Sequence, residues 1–362
     1  MSTTPFMTPG RGRGRRTRPD RRRARRQRRI AAGLLLLALL AAAIVSLVIA
    51  GRAGEASHTA RASTHAHRAV PATPVRSADG LALAAPAFRL IGAGEPQRDA
   101  IRLDFREPPR AGILVDLDTG RVLWQRNPTL RLPIASLTKM MTALLAVRSA
   151  APDAPILVTR QAVDEGGSKV GVLPLGRHVR LESMLYGLLL PSGNDAAVAI
   201  AQHVAGSINA FVARMNAEAA ALGMGCTRYS SPSGFYNDGN FSCPEDLALL
   251  AHVDLGQPRI ARVTRTYTAV LPFPIKGGKL YLYNNNPMLI YGYPGTTGLK
   301  TGYTIAAGRC LVATAERHGV RLGVVLLHSG APGTQARDLL DLAFRDVYHL
   351  PPVAEPQMPP DA

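Results

Sequence analysis

From Ala111 onward the apolar and polar positions fall into short alternations and helical stripes that divide the chain into elements. AGILVDLDTGRVLWQRN reads as a hairpin: Ala111 to Asp116, a turn at Asp118-Thr119-Gly120, then Arg121 to Gln125. In IASLTKMMTALL, Leu137, Met140, Met141, Leu144 and Leu145 form one stripe at helical spacing. Further helical stretches run over Leu181 to Leu190, Asp195 to Val204 and Asn209 to Leu222. A Gly-, Ser- and Asn-rich loop follows around Ser230 to Ser242. Beyond Tyr267 the pattern returns to strands: LYLYNNNPML, TTGLKTGYT, then RCLVATAE and VRLGVVLLHS joined by a turn at Arg317-His318-Gly319. An amphipathic helix over roughly Thr334 to Tyr348 closes the series. Strands at both ends of a mainly helical middle predict an α+β fold. Its antiparallel sheet, flanked by helices, joins the first hairpin to the last strands, with a helical subdomain inserted between.

Ahead of this pattern lies IAAGLLLLALLAAAIVSLVIAG, an uncharged run at 30–51 long enough to cross a bilayer as a helix. A secretory signal has the same layout, but its apolar region is usually shorter and ends in a small-residue cleavage site. Residues 1–29 are an arginine-rich tail, and positive flanks stay cytoplasmic, so everything from Arg52 onward is expected outside the cytoplasm. Residues 52–105, rich in Ala, Arg, Pro, Ser and His without a sustained period, are expected to be a flexible linker. The folded domain is expected over 106–350, with 351–362 a short C-terminal tail.

Composition changes the picture in one respect. The formal charge of +18 suggests a nucleic-acid partner, yet twelve arginines and one aspartate before residue 30 supply +11 of it. No aromatic residue lies between Arg11 and Arg29 to stack a base, so the tail reads as an orientation signal attracted to anionic lipid. Cys226, Cys243 and Cys310 form no metal-ligand pattern, and His58, His65 and His67 stand in the linker without supporting ligands. Outside the cytoplasm a Cys226–Cys243 disulfide is chemically permitted; small buried thiols are the alternative for all three cysteines.

Chemistry enters with Lys139. On its own Ser136 reads as an N-cap and Lys139 as a solvated lysine. The face carrying Lys139, however, holds Thr142, Ala143 and Ala146, with no charge before Arg148. A helix buried on both sides would bring Ser136 and Lys139, three apart, together in a confined site. LLLPSGNDAAVAIA places Ser192 and Asn194 in a turn between helices, with Asp195 as a candidate N-cap. TTGLKTGYT places Lys300, Thr301 and Gly302 on a strand. Each alone is ordinary turn or strand chemistry. The three together, in this order, are hard to obtain by chance.

Ser-x-x-Lys, Ser-x-Asn and Lys-Thr-Gly, with SLTKMMTALL, FVARMNAEAAALGM and GLKTGYT around them, resemble the serine DD-peptidases. These are the low-molecular-mass penicillin-binding proteins of the D-alanyl-D-alanine carboxypeptidase family, fold relatives of class A β-lactamases. The resemblance covers about Arg110 to Tyr348. It implies that Ser136 is the nucleophile, Lys139 its base, Ser192 a proton relay and Asn194 a holder of Lys139 and of the substrate amide. It further implies that Lys300 and Thr301 meet the substrate's terminal carboxylate, with Arg337 as an added contact. Gly302 would let the peptide lie against the strand, and the backbone N–H groups of Ser136 and Tyr303 would form the oxyanion hole.

The implied activity removes the terminal D-alanine from peptidoglycan stem peptides in cell-wall maturation, without metal or organic cofactor and with β-lactams as covalent inhibitors. Cleavage of cross-linked peptides by the same site, or a non-enzymatic penicillin-binding sensor, are the alternatives. A β-lactamase is disfavoured because no Glu-x-x-Leu-Asn stretch follows Asn194.

Overall fold

The structure, a computed structural model, describes residues 88–95, 98–235 and 239–353. The arginine tail and the expected span at 30–51 lie outside the described residues. Among the described residues no single helix is long and apolar enough to cross a membrane.

Strands β1 (Ala111–Asp116) and β2 (Val122–Arg126) form the expected hairpin, with Gly120 taking the left-handed turn conformation at φ 76°. A two-residue β3 (Leu132–Pro133) leads into a 3₁₀ turn, Ala135–Thr138, and helix α1 (Lys139–Ser149). Small strands β4 (Pro155–Leu157) and β5 (His178–Arg180) pair around helix α2 (Arg160–Asp164). Helices α3 (Leu181–Leu189), α4 (Asn194–Ala205) and α5 (Ile208–Ala221) make the helical middle. After β6 (Phe241–Ser242) come α6 (Pro244–Leu255) and α7 (Pro258–Thr264), a β7 (Thr268–Pro272) and β8 (Lys279–Tyr283) hairpin, and the short α8 (Pro287–Ile290). Strands β9 (Thr296–Thr304), β10 (Gly308–Arg317) and β11 (Val320–Ser329) precede α9 (Pro332–Leu342), whose last turn widens to a π-helix over Ala343–Val347.

The five-stranded sheet runs β2-β1-β11-β10-β9, so the first hairpin does join the last strands. Every pairing in it is antiparallel. Its two faces carry separate cores. Ile113, Val115, Val312 and Val325 face the helical middle, where Leu137, Met141, Leu144 and Leu188 pack. Leu114, Leu311, Val324 and Leu326 face α9 with Leu339 and Phe344. This strand alternation, one apolar set per face, is what burial on both sides of an antiparallel sheet requires.

Three expectations are corrected. The folded body begins before residue 106: Phe88 stacks on His252 at 3.9 Å, Ile91 bridges to Arg121, and Ile101 enters the core behind β2. Residues 88–105 carry too few periodic apolar positions to announce this, and they add no strand of length. Asp195 is not a helix cap, since α4 begins at Asn194 and its N-cap is Gly193. Its carboxylate instead accepts the backbone N–H groups of Val170 (2.9 Å) and Gly171 (3.1 Å), tying the loop after α2 to α4. Ser136 likewise caps nothing; it sits within the 3₁₀ turn that runs into α1.

Cys226 and Cys243 form a disulfide with Cα atoms 5.7 Å apart, closing the loop that ends at α6. Cys310 is free and buried.

Candidate active site

Where the first turn of α1, the start of α4 and strand β9 converge, the three motifs meet. Lys139 is wholly buried, as the uncharged helix face required. Its Nζ lies 2.8 Å from Ser136 Oγ, 2.6 Å from Asn194 Oδ1 and 2.9 Å from the Ser233 carbonyl oxygen. The two amide-type oxygens can only accept, so a neutral lysine satisfies them with its two N–H bonds. Its lone pair is then left for the Ser136 hydroxyl, which donates.

Electrostatics push toward that neutral form. Burial holds the Lys139 amine well below its ordinary value, and the Lys300 ammonium lowers it further; Asp195 and Glu165 act in the opposite sense. Lys300 is itself buried and pushed down by burial to about 7, with its Nζ donating to the Thr301 carbonyl at 2.9 Å.

The surrounding chain is built to hold this geometry. Asn194 donates through Nδ2 to the Gly166 carbonyl (2.6 Å), and its backbone N–H donates to the Ser168 carbonyl (2.7 Å), so its Oδ1 is fixed toward Lys139. Thr142, one turn beyond Lys139 on α1, donates to the Pro232 carbonyl at 2.7 Å, and Ser233 Oγ donates to Glu165 at 3.4 Å. Ser192 has a left-handed backbone, φ 69°, and its buried hydroxyl has no hydrogen-bond partner among the described residues. An unsatisfied buried hydroxyl is costly. Here it looks into the cavity that holds Ser136.

That cavity encloses about 280 Å³ and is lined by Ser136, Ser192, Asn285, Thr301, Tyr303 and Arg309, among others. A larger hollow of about 440 Å³ lies by Phe88, Leu222 and Asp246 and contains no nucleophile, so volume alone misplaces the chemistry.

Gly302 stands at a close approach of two backbones. A Cβ there would lie 2.9 Å from the Ile134 carbonyl oxygen and 3.2 Å from the Ser136 nitrogen. The glycine lets β9 approach the backbone of the nucleophile, bringing the Tyr303 peptide beside it.

Arg337 is displaced from the role suggested for it. It lies on α9, pairs with its neighbour Asp338 at 2.9 Å and lines a separate hollow with Leu103, Asp341 and Arg345. The arginine in the cavity is Arg309, which the β9–β10 register sets opposite Tyr303, with Leu311 opposite Thr301. Arg309 and Thr301 therefore share one face of the sheet. That register could be counted from the sequence only once the turn at Thr304–Gly308 was fixed. Ser233 and Glu165 were also missed, because a carbonyl and a loop carboxylate carry no motif.

The sequence profile of the D-alanyl-D-alanine carboxypeptidase family matches residues 108–330. The chain belongs to this family. Within the family it is similar to the D-alanyl-D-alanine carboxypeptidase DacB2 of Mycobacterium tuberculosis, 35% identical over 245 residues, covering 66% of this chain and 82% of that one. It is 34% identical over 243 residues to DacF of Bacillus subtilis, covering 65% of this chain and 62% of DacF, so it spans about three fifths of that relative. A D-alanyl-D-alanine endopeptidase of Pseudomonas aeruginosa is 34% identical over 240 residues, covering 65% of this chain and 76% of that one. The crystal structure of a D-alanyl-D-alanine carboxypeptidase from Mycobacterium tuberculosis superposes with a TM-score of 0.63 at 32% identity, covering 72% of this chain and 97% of that one. The fold is that of the DD-peptidases.

Proposed function

We propose that this chain is a serine DD-carboxypeptidase that removes the terminal D-alanine from peptidoglycan stem peptides. The observation that carries the reading is Lys139 Nζ, buried and 2.8 Å from Ser136 Oγ, with its other contacts to pure acceptors. In this reading Lys139 takes the Ser136 proton as Oγ attacks the carbonyl of the penultimate D-alanine, and an acyl-enzyme forms. The backbone N–H groups of Ser136 and Tyr303 stabilise the developing oxyanion. Ser192, the cavity's unpartnered hydroxyl, passes the proton to the departing amine. Thr301 and Arg309, on one sheet face, bind the leaving D-alanine carboxylate; Arg309 takes the place first assigned to Arg337. Water then releases the acyl group and regenerates Ser136. The carboxypeptidase names of the relatives agree with this chemistry.

The uncharged run at 30–51, with twelve arginines ahead of it, supports a single-pass anchor with the catalytic domain outside the cytoplasm, where peptidoglycan lies. The Cys226–Cys243 disulfide fits such a compartment.

The test is D-alanine release from a stem pentapeptide by the detergent-solubilised chain. Catalytic release is expected, falling at least a thousandfold in Ser136→Ala, with covalent labelling by penicillin lost in the same variant. Penicillin labelling of Ser136 without release from any stem peptide would overturn the hydrolase reading in favour of a sensor.

A further inference from the structure

Lys139 is held from two sides, and one carboxylate stands where those sides meet. Asn194 Oδ1 reaches the amine from α4, and the Ser233 carbonyl reaches it from the loop before β6. Behind Asn194 lies the segment after α2, whose Gly166 and Ser168 carbonyls fix it at 2.6 Å and 2.7 Å. This segment presses on the Ser233 loop. A Cβ at Gly167 would stand 2.6 Å from the Phe235 ring and 2.7 Å from Asn194 Nδ2. Glu165, at the C-terminal end of α2, ties the two together. Its Oε1 accepts the Ser233 hydroxyl at 3.4 Å, and the Phe235 N–H aligns that hydroxyl by donating to it at 3.3 Å.

The charge on Glu165 is not spent on its neighbours. Lys169, in the same segment, donates to the Val163 carbonyl at 2.8 Å rather than to the carboxylate. Asp195, the other carboxylate near the site, spreads its charge over the backbone N–H groups of Val170, Gly171 and Ala196. The charged groups facing Lys139 are Lys300 from β9, Asp195 from α4 and Glu165; those facing Glu165 are Lys139, Lys169 and Asp195. Glu165 is half-buried beside an enclosed amine, so solvent screens its field less than that of a surface pair.

The base has two opposed requirements. Before the attack Lys139 must be neutral to accept the Ser136 proton, and during the attack it becomes an ammonium. Lys300 favours the first state and opposes the second. A fixed negative charge on the far side of the amine supports the second, because it is already in place when the positive charge develops.

We propose that Glu165 is a positioning residue of the reaction: it locks the Ser233 carbonyl onto Lys139, and its negative charge stabilises the ammonium that Lys139 becomes on taking the Ser136 proton. The proposal rests on the DD-peptidase reading of Ser136 and adds no covalent step to it. The proton still passes from Ser136 Oγ to Lys139 Nζ and on to the departing amine. Glu165 neither takes nor gives it.

The experiment follows the rate of acylation by penicillin against pH for the wild type, Glu165→Gln and Glu165→Asp, using the full chain in detergent. Glu165→Gln is isosteric and keeps an oxygen for the Ser233 hydroxyl, but it removes the charge and makes Lys139 a weaker base. The acid limb should move to lower pH by about half a unit or more, opposite in sense to Lys300→Gln, and the plateau rate should fall about fivefold or more. Glu165→Asp retains the charge, so its limb should stay at the wild-type position even where the shorter arm lowers the plateau. A slower Glu165→Gln with an unmoved limb would reduce Glu165 to a structural tie and overturn the proposal. An equal displacement of the limb in both variants overturns it as well. Absent penicillin labelling in the wild type points instead to failure of the DD-peptidase reading.

Discussion

At the scale of single residues the site depends on one proton being absent from Lys139. Burial supplies most of that, and Lys300 adds to it through its charge. Removing the charge in Lys300→Gln relieves the repulsion, so the Lys139 amine binds its proton more tightly. The acid limb of the pH profile for acylation by penicillin should therefore move to higher pH than in the wild type; an unmoved limb would show that burial alone sets it. Gly302→Ala probes the other requirement, close approach. Its methyl would press on the Ile134 carbonyl and the Ser136 nitrogen. A stability loss of about 1–3 kcal/mol is expected, with a larger fall in acylation rate than in any substitution of exposed Tyr303. These two residues also mark what could be read beforehand. Lys139 was legible because its helix face lacked charges, and Lys300 because Lys-Thr-Gly is rare. The duty of Gly302 was not legible, since a close approach between distant backbones leaves no local pattern. Arg337 misled for the complementary reason: an arginine near the right helix says nothing of the sheet face that reaches the substrate.

At the scale of elements, the strands and amphipathic helices declared themselves through period, and most ends fell within a residue or two of expectation; α1, however, starts at Lys139 and runs on to Ser149, and the strand in LYLYNNNPML stops at Tyr283, its last residues entering α8. Val122–Arg126 replaced Arg121–Gln125, and α9 began at Pro332 rather than Thr334. Helices α6 and α7 were not named from the sequence. Both are short, apolar on much of their circumference and start at a proline, Pro244 and Pro258. Proline at the first helical position was the available signal. The loop before α6 matters to catalysis because it carries Ser233, whose carbonyl holds Lys139. The disulfide closes this loop across a separation of 17 residues, next to Asp246, which accepts the Cys226 N–H and the Thr227 hydroxyl. Replacing both cysteines by serine should cost about 3 kcal/mol in chemical denaturation. Acylation should fall as well, since the loop positions Ser233. Unchanged denaturation midpoints would remove the disulfide from the account of stability.

At the scale of the molecule, the described body is larger than the domain the sequence outlined. The described residues between Phe88 and Phe105 are tied to β2 and the turn before it, with Ile91 bonded to Gly120 and Val122 and Ile101 bonded to Leu123. Asp99 accepts from the Gln125 side chain at 3.0 Å. A fragment beginning at residue 106 loses burial of Phe88 and Ile101, an expected cost of about 3–6 kcal/mol relative to one beginning at residue 86. Thermal melts of the two fragments check this, and equal melting temperatures would show the strap to be dispensable. Such a strap escapes sequence reading because its apolar residues are few and its backbone bonds are made with a strand already paired on its other side.

The sheet order has a consequence in time. Ala111 pairs with Leu327, so the strand nearest the start of the body finds its partner near the end. Ser136 and Lys139 leave the ribosome early, whereas Lys300 and Arg309 come late. During synthesis from the N-terminus the nucleophile therefore emerges long before the strand that completes its surroundings. Until β9 to β11 follow, the β1 edge that pairs with β11 is open and Lys139 lacks the Lys300 neighbour that lowers its proton affinity. Such non-local pairing is slow to form. The site therefore gains its full electrostatic surroundings only when the last strands have docked.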